Sequence, residues 1–227
     1  MSNIAIIPAR GGSKRIPHKN IKPFLGKPVI AYSIDAALKS GLFDEIMVST
    51  DDWEIADIAV RFGATVPFMR STETSNDYAT TSDVIKEVIS QYAANGQSFS
   101  TACCIYSTAP FITAKILNSA YKQFVSECFD SIFPVVPFSY PVMRGLKFSG
   151  KTINMVWPEY HNARSQDLEP IYHDAGQFYF FNVEAFLKQG KIWGKNTGAI
   201  ILSELQVQDL DTETDWELAE MKYKLLH

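Results

Sequence analysis

Arg10, Lys14, Arg15, Lys19 and Lys22 fall between residues 10 and 22, a stretch with no carboxylate, in a chain whose formal net charge is -4. The stretch opens Arg10-Gly11-Gly12-Ser13-Lys14-Arg15 and follows the apolar run Ile4-Ala5-Ile6-Ile7, so a cationic, glycine-bearing loop leaves what reads as a buried strand. Gly11 and Gly12 lack a Cβ and let backbone N–H groups approach phosphate oxygens, while the basic side chains neutralise charge that builds on a leaving pyrophosphate. The chemistry this predicts is binding of a nucleoside triphosphate. The spacing is not G-x-x-x-x-G-K-[ST], and no G-x-G-x-x-G follows the first strand, which excludes a P-loop and the dinucleotide fingerprint. An ordinary solvated basic loop would have the same composition.

A complementary feature lies at the other end of the chain. Asp209-Leu210-Asp211-Thr212-Glu213-Thr214-Asp215 sits in a stretch from Asn196 to Met221 without Lys or Arg. Asp209 and Asp211 are two apart at the end of an expected strand, so in an extended chain they share a face, and hard carboxylate oxygens so placed suit Mg²⁺. Capping of the following helix would account for Asp211 and Asp215 equally well. The presence of an anion-binding loop elsewhere in the chain favours the metal reading.

The elements that must position these residues alternate along the chain. Apolar runs and helical periodicity predict strands at 3–8, 45–50, 64–68, 101–107 and 131–137, and helices at 28–40, 53–62, 80–94 and 113–127. Asp51 and Asp52 can cap the helix starting at Trp53, and Gly41 and Gly63 sit where helices should stop. The strands are Val/Ile-rich without alternation, as expected when helices cover both faces of a sheet. A doubly wound, mostly parallel α/β sheet follows, with ligands at the carboxyl ends of its strands. From 138 to 172 the rhythm breaks into a Pro- and aromatic-rich arm. Strands are expected again at 177–181, 199–202 and 206–209, then a closing helix near 212–226 with Thr212 as N-cap and Asp215 at N3. The whole chain, 1–227, reads as one domain with the arm at 138–172 inserted in it.

Composition narrows the partners. A hydrophobic content of 46% and pI ≈ 5.6 describe a globular chain without the broad basic face that nucleic acid or an anionic membrane requires. No apolar run approaches the ~18–20 residues that span a bilayer, and no signal peptide is evident, so a cytoplasmic protein is expected. Cys103, Cys104 and Cys128 fit buried thiols in a reducing compartment.

The runs I-A-I-I-P-A-R-G-G-S-K-R-I-P-H-K-N at 4–20, I-M-V-S-T-D-D at 46–52, S-N-D-Y-A-T-T at 75–81 and D-L-D-T-E-T-D-W at 209–216 resemble the cytidylyltransferases that activate nonulosonic acids, over nearly the whole chain. The resemblance implies a Rossmann-like nucleotide-diphospho-sugar transferase fold. It also implies that CTP and an acidic nine-carbon sugar react to give a CMP-sugar and pyrophosphate. By this resemblance Ala9, Arg10, Gly11, Gly12, Ser13, Lys14, Lys19 and Asn20 line the nucleotide. Arg70 lies near the cytosine, and Asp77, Thr80 and Thr81 fall in the base and ribose segment. Asp209 and Asp211 carry the metal, Mg²⁺ or another divalent cation. Tyr106, Arg144, Arg164, Gln166, His173 and Gln177 face the sugar, with His161 a weaker candidate. Where the sialic acid enzymes read Q-P-T-S-P and N-G-A-I-Y, this chain has Tyr106-Ser107-Thr108-Ala109-Pro110 and Ala175-Gly176-Gln177-Phe178-Tyr179, which argues for a different acidic sugar.

The expected reaction is in-line attack of the anomeric hydroxyl on the α-phosphorus, with Arg10, Lys14 and Asp211 as the catalytic groups. A glycosyltransferase using Asp209-Leu210-Asp211 as a D-x-D motif and a non-catalytic nucleotide-sugar sensor are the competing readings. Relatives are homodimers in which an arm reaches the partner's sugar site, so a homodimer through 138–172 is expected.

Overall fold

Why this chain makes a two-sided sheet is visible strand by strand in the computed structural model, which describes residues 2–226. In chain order the strands are β1 (Asn3–Pro8), β2 (Pro23–Phe24), β3 (Lys27–Pro28), β4 (Glu45–Ser49), β5 (Thr101–Ile105), β6 (Ser131–Pro137), β7 (Leu146–Ser149), β8 (Thr152–Met155), β9 (Tyr172–Asp174), β10 (Phe178–Asn182) and β11 (Thr197–Ile201). The helices are α1 (Ile30–Ser40), α2 (Trp53–Arg61), α3 (Thr72–Ser75), α4 (Thr81–Ala94), α5 (Ala114–Ser126), α6 (Val183–Gln189) and α7 (Glu213–Leu226). The main sheet runs β11-β6-β10-β5-β1-β4, with β9 pairing β6. β1, β4, β5, β6 and β11 point one way, and β9 and β10 run against them.

Successive residues of β1 enter two different cores, which removes any alternation of polarity. Ala5 and Ile7 pack with Ile30, Ile34, Leu117 and Phe124 from α1 and α5, while Ile4 and Ile6 pack with Ile85, Val88 and Phe186 from α4 and α6. The aromatic run Phe178-Tyr179-Phe180-Phe181 is core strand throughout. Cys103 and Cys104 are free and buried, and burial pushes the Cys104 thiol up to about 12. Cys128 is exposed, contrary to the expectation for all three.

Capping chemistry sets several boundaries. Asp52 caps α2 by accepting from the backbone N of Glu54 (2.8 Å) and Ile55 (3.2 Å), whereas Asp51, also expected as a cap, is turned elsewhere. Thr80 and Asp83 form a capping box on α4, and Thr212 and Asp215 form the one expected on α7. Gly41 ends α1 with φ 65°, a left-handed conformation that suits glycine.

Two expected strands do not form. At 64–68 only a single bridge from Thr65 to Met47 appears, because Pro67 has no N–H to continue a ladder. Residues 206–209 lie outside the sheet: Ser203 and Gln206 cap each other around a short turn, and Lys222 holds the carbonyls of Glu204 and Val207. α6 was not anticipated, although Asn182 as N-cap and Gly190 at the far end mark it. Within 138–172 the only regular pair is the hairpin β7–β8, on which Leu146, Phe148 and Ile153 are exposed.

A third, smaller core decides the geometry of function. Ile16 from the basic loop, Leu210 from the acidic segment and Trp216 from α7 pack with Phe24, Tyr32 and Phe111. Ile16 and Leu210 are both fully buried, so the two chemically loaded segments share one hydrophobic anchor.

Candidate active site

The basic loop leaves β1 and is pinned to the ends of the neighbouring parallel strands. Ala9 N–H donates to the Ser49 carbonyl at the end of β4 (2.9 Å), and Gly11 N–H donates to Asp51 Oδ1 (2.9 Å). Buried Asn20 closes the loop from inside: its Nδ2 donates to the Arg10 carbonyl (2.8 Å) and its Oδ1 accepts from the Ser107 hydroxyl beyond β5 (2.7 Å). Gly11 is required for a reason other than phosphate approach. A Cβ there would stand 2.6 Å from Asp52 Oδ2, and its N–H is already committed to Asp51. Gly12 is exposed, with open space where a Cβ would go.

This scaffold frames a cleft of about 470 Å³ at the carboxyl ends of β1, β4 and β5, where a parallel sheet is expected to bind its ligand. Arg10, Ser13, Lys14, Lys19, Asn20, Arg70, Asp77 and Thr81, all anticipated, line it. Arg15, Thr74, Asn76 and Ala79 line it as well and were not assigned to it; for Arg15, the charge density of the loop was the available signal. Five cationic side chains face one lining carboxylate, so the cleft is built for a polyanion. Ala9, Gly11, Gly12 and Thr80 stay outside the lining: Ala9 is buried beneath the loop, the Gly11 N–H is committed to Asp51, Gly12 faces open space, and the Thr80 hydroxyl is spent on capping α4.

The cations are not equivalent. Arg70 is buried, donating from Nε to Ser49 Oγ (2.9 Å) and from Nη2 to the Ser49 carbonyl, while its backbone N–H reaches the Thr50 carbonyl (2.8 Å). Burial lowers its pKa, opposed by Asp51 and Glu87, so it is a fixed strut with one face on the cleft. Arg10 and Lys14 are more exposed and both reach Asp77, Arg10 from Nη1 to Oδ1 at 2.9 Å. Those contacts hold the Asp77 carboxyl below its ordinary range. Asp77, expected in the base and ribose segment, lines the cleft with its carboxylate turned toward the cations of the loop.

The acidic segment meets the same loop from the other side. Asp211 pairs with Arg15 and with Lys19 Nζ (3.3 Å), and Lys19 also donates to the Leu210 carbonyl (2.8 Å). Lys22 pairs with Glu213. Asp215 accepts from the backbone N–H of Thr212 (2.8 Å) and Asp211 (3.3 Å), and these bonds with the Thr212 hydroxyl lower its pKa; its role is capping. Asp209 is exposed and makes no ion pair among the described residues. Among those residues no group of three or more His, Cys, Asp or Glu gathers where it could hold a metal ion, and both Asp211 oxygens are engaged by Arg15 and Lys19.

The residues expected at the sugar divide into two sets. Tyr106 stands at the cleft's edge, its hydroxyl 3.4 Å from that of Thr81, and burial raises its pKa. Behind it, buried Tyr179 donates to Asp174 Oδ2 (2.6 Å). Gln177, just before β10, is buried with Nε2 donating to the Gln206 carbonyl (2.6 Å) ahead of the acidic segment; its Oε1 has no partner among the described residues. None of the six, Arg144, Arg164, Gln166 and His173 included, lines the cleft itself. Arg164 is engaged by Asp167 (2.7 and 3.2 Å), Arg144 Nη1 reaches Ser165 Oγ (3.3 Å), and the exposed His173 ring lies against Phe138. His161 bonds its neighbour Asn162 (3.0 Å).

A doubly wound sheet that gathers a five-cation cleft and an opposing acidic segment at its carboxyl edge defines a nucleotide-polyphosphate-handling α/β protein. Residues 4–216 match the sequence model of a family described as cytidylyltransferase, and the chain belongs to that family. It is 42% identical over 228 residues to a pseudaminic acid cytidylyltransferase of Campylobacter jejuni subsp. jejuni, covering 100% of this chain and 98% of that protein. It is 35% identical over 237 residues to a CMP-N,N'-diacetyllegionaminic acid synthase of Legionella pneumophila, covering 99% and 97%. Among solved structures, CMP:2-keto-3-deoxy-manno-octonic acid synthetase complexed with CTP superimposes with a TM-score of 0.73 at 16% identity over the full length of both chains, a likeness of fold. The family assignment sets aside the D-x-D glycosyltransferase and sensor readings.

Proposed function

We propose that this cytidylyltransferase joins CTP to pseudaminic acid, forming CMP-pseudaminic acid and pyrophosphate. The observation that carries the reaction is that Asp211 meets the basic loop at Arg15 and Lys19, two of the cations lining the cleft. The choice of sugar is supported by the 42% identity to the Campylobacter jejuni enzyme over essentially both whole chains, against 35% for the legionaminic acid enzyme.

In this reading Arg10 and Lys14 take the outer phosphates and stabilise charge on the leaving pyrophosphate. Arg70, rigidly held on Ser49, offers a fixed edge to the base, and Thr81 with Tyr106 closes the side toward the sugar. Asp209 and Asp211 would hold Mg²⁺. Hard carboxylate oxygens two residues apart suit an ion that completes its shell with water and substrate phosphate oxygens. Such an ion would neutralise the α-phosphate and acidify the attacking hydroxyl. The chain's own contribution is alignment and charge, which in-line phosphoryl-type transfer requires more than a covalent nucleophile.

We place the enzyme in the cytoplasm as a homodimer. No helix among the described residues is long and apolar enough to cross a membrane. The arm's Arg144, Arg164 and Gln166 stay outside their own chain's cleft, and its hairpin exposes Leu146, Phe148 and Ile153, a pattern suited to delivery of the arm to a second copy. The arginines would then face the sugar carboxylate bidentately. The test is pyrophosphate release with CTP, Mg²⁺ and a panel of pseudaminic, legionaminic, sialic and Kdo-type acids. Preference for pseudaminic acid is expected; preference for another acid overturns the sugar, and release with none overturns the reaction.

A further inference from the structure

Four cations of the basic loop are neutralised by two carboxylates that belong to other parts of the chain. Asp211 holds Arg15 and Lys19, and Asp77 holds Arg10 and Lys14, one carboxylate oxygen to each cation. The second pairing is unexpected in a cleft whose purpose, on the reading above, is to hold phosphates with those same two side chains. Arg10 Nη1 also reaches the Asn76 carbonyl (3.3 Å), so both residues preceding Tyr78 face the loop. Asp77 is the one carboxylate lining the cleft.

Nothing in the local fold calls for a carboxylate at this position. The turn that presents Asp77 is closed by Asn76, whose Oδ1 accepts from the backbone N–H of Tyr78 (2.8 Å) and Ala79 (3.0 Å). The helix that follows is capped by Thr80 and Asp83. The approach to the turn is fixed by Glu87, which accepts from Ser71 N–H (2.9 Å). The Asp77 side chain is 42% exposed and lies on the surface of the cleft, so a rotation about its own bonds is enough to release both cations.

We propose that Asp77 is a resident competitor for the polyphosphate. It occupies the Arg10–Lys14 pair in the free enzyme, yields it to the triphosphate, and reclaims it as pyrophosphate leaves. This rests on the cytidylyltransferase reading of the cleft and adds to it a residue that sets affinity by competition. A single carboxylate loses to a triphosphate of several charges, so the enzyme still loads. After transfer, the return of Asp77 opposes rebinding of the departing pyrophosphate. It also spares the empty cleft the mutual repulsion of its cations.

The test is direct binding of CTP and of inorganic pyrophosphate, by calorimetry at fixed ionic strength, to the full chain and to Asp77→Asn, Glu73→Gln and Arg10→Ala. Removing two partly exposed pairs from the free state should tighten both ligands about three- to tenfold in Asp77→Asn. The inhibition constant of pyrophosphate in turnover should fall by a similar factor. Glu73, exposed four residues before Asp77 and in no ion pair among the described residues, reports the long-range effect of lost charge, and Glu73→Gln should change either affinity less than about twofold. Weaker CTP binding in Asp77→Asn would overturn the proposal and return the carboxylate to the nucleoside. Unchanged affinity, or an equal gain in Glu73→Gln, would overturn it too. Failure of Arg10→Ala to weaken either ligand would instead refute the cleft reading on which the proposal stands, and the proposal with it.

Discussion

Two arginines face the same cleft and do different work, because their surroundings differ. Arg70 is buried and locked to Ser49 by Nε and Nη2, so its charge is a permanent part of the wall. Arg10 is partly exposed and bound to a carboxylate that it can exchange for another anion. Its removal should therefore be felt in chemistry rather than folding. For Arg10→Ala, and for Asp211→Asn beside Arg15 and Lys19, the loss of one preorganised charge contact is expected to cost about 2.7–4 kcal/mol of barrier, or about a hundredfold or more in kcat. Steady-state turnover against CTP checks this, and unchanged kcat in a folded variant would remove the residue from the mechanism. Which cations line the cleft was legible in the loop's composition. Which of them are already spent was not, since Ser49, Asp77 and Asp211 are remote in sequence.

At the scale of elements, the acidic segment and the basic loop are joined by their apolar residues as much as by their charges. Leu210 is fully buried against Ile16, Phe24 and Trp216. Leu210→Ala should cost about 2–5 kcal/mol of stability and, by loosening the segment, lower kcat as well. Urea unfolding and turnover on the same variant measure both, and loss of stability without loss of turnover would separate anchor from function. α4 makes a pH-dependent prediction. Thr80 holds the Asp83 carboxyl below its ordinary range, so the folded pKa lies under the unfolded one. The capping contribution is then complete above the unfolded value and disappears as pH falls through the folded one. The destabilisation of Asp83→Ala, about 1 kcal/mol at neutral pH, should shrink toward zero in acid. Thermal melts at a series of pH values read this, and a constant difference would contradict the cap.

For the molecule as a whole, the hairpin β7–β8 stands apart from the cores, with Phe148 80% exposed. On the proposed dimer this surface meets a second copy. Phe148→Asp should shift sedimentation from dimer to monomer and abolish transfer to the sugar while leaving CTP affinity within about twofold, since no residue of the hairpin is among those lining the described cleft. A variant that remains dimeric, or a monomer with full activity, would count against the arm's role. The antiparallel entry of β10 between β5 and β6 is a further property of the whole. Its sequence, Phe178-Tyr179-Phe180-Phe181, marks a buried strand but carries no sign of direction.

By itself the sequence determined the α/β class, the position of most helices and strands, and the existence of a cationic loop after the first strand. Each of these follows from periodicity, capping and charge within a short window. The tertiary structure alone decided that the loop and the acidic segment meet. Ile16 and Leu210 look like stray apolar residues in polar surroundings, and only the core they share brings together Arg15 and Asp211, 196 residues apart. The same limit explains the expected strand at 206–209. Its residues suit an extended conformation, but Gln177 and Lys222 claim the Gln206 and Val207 carbonyls and hold the segment off the sheet. Local pattern states what a segment can do; long-range burial and hydrogen bonding select which of those options is realised.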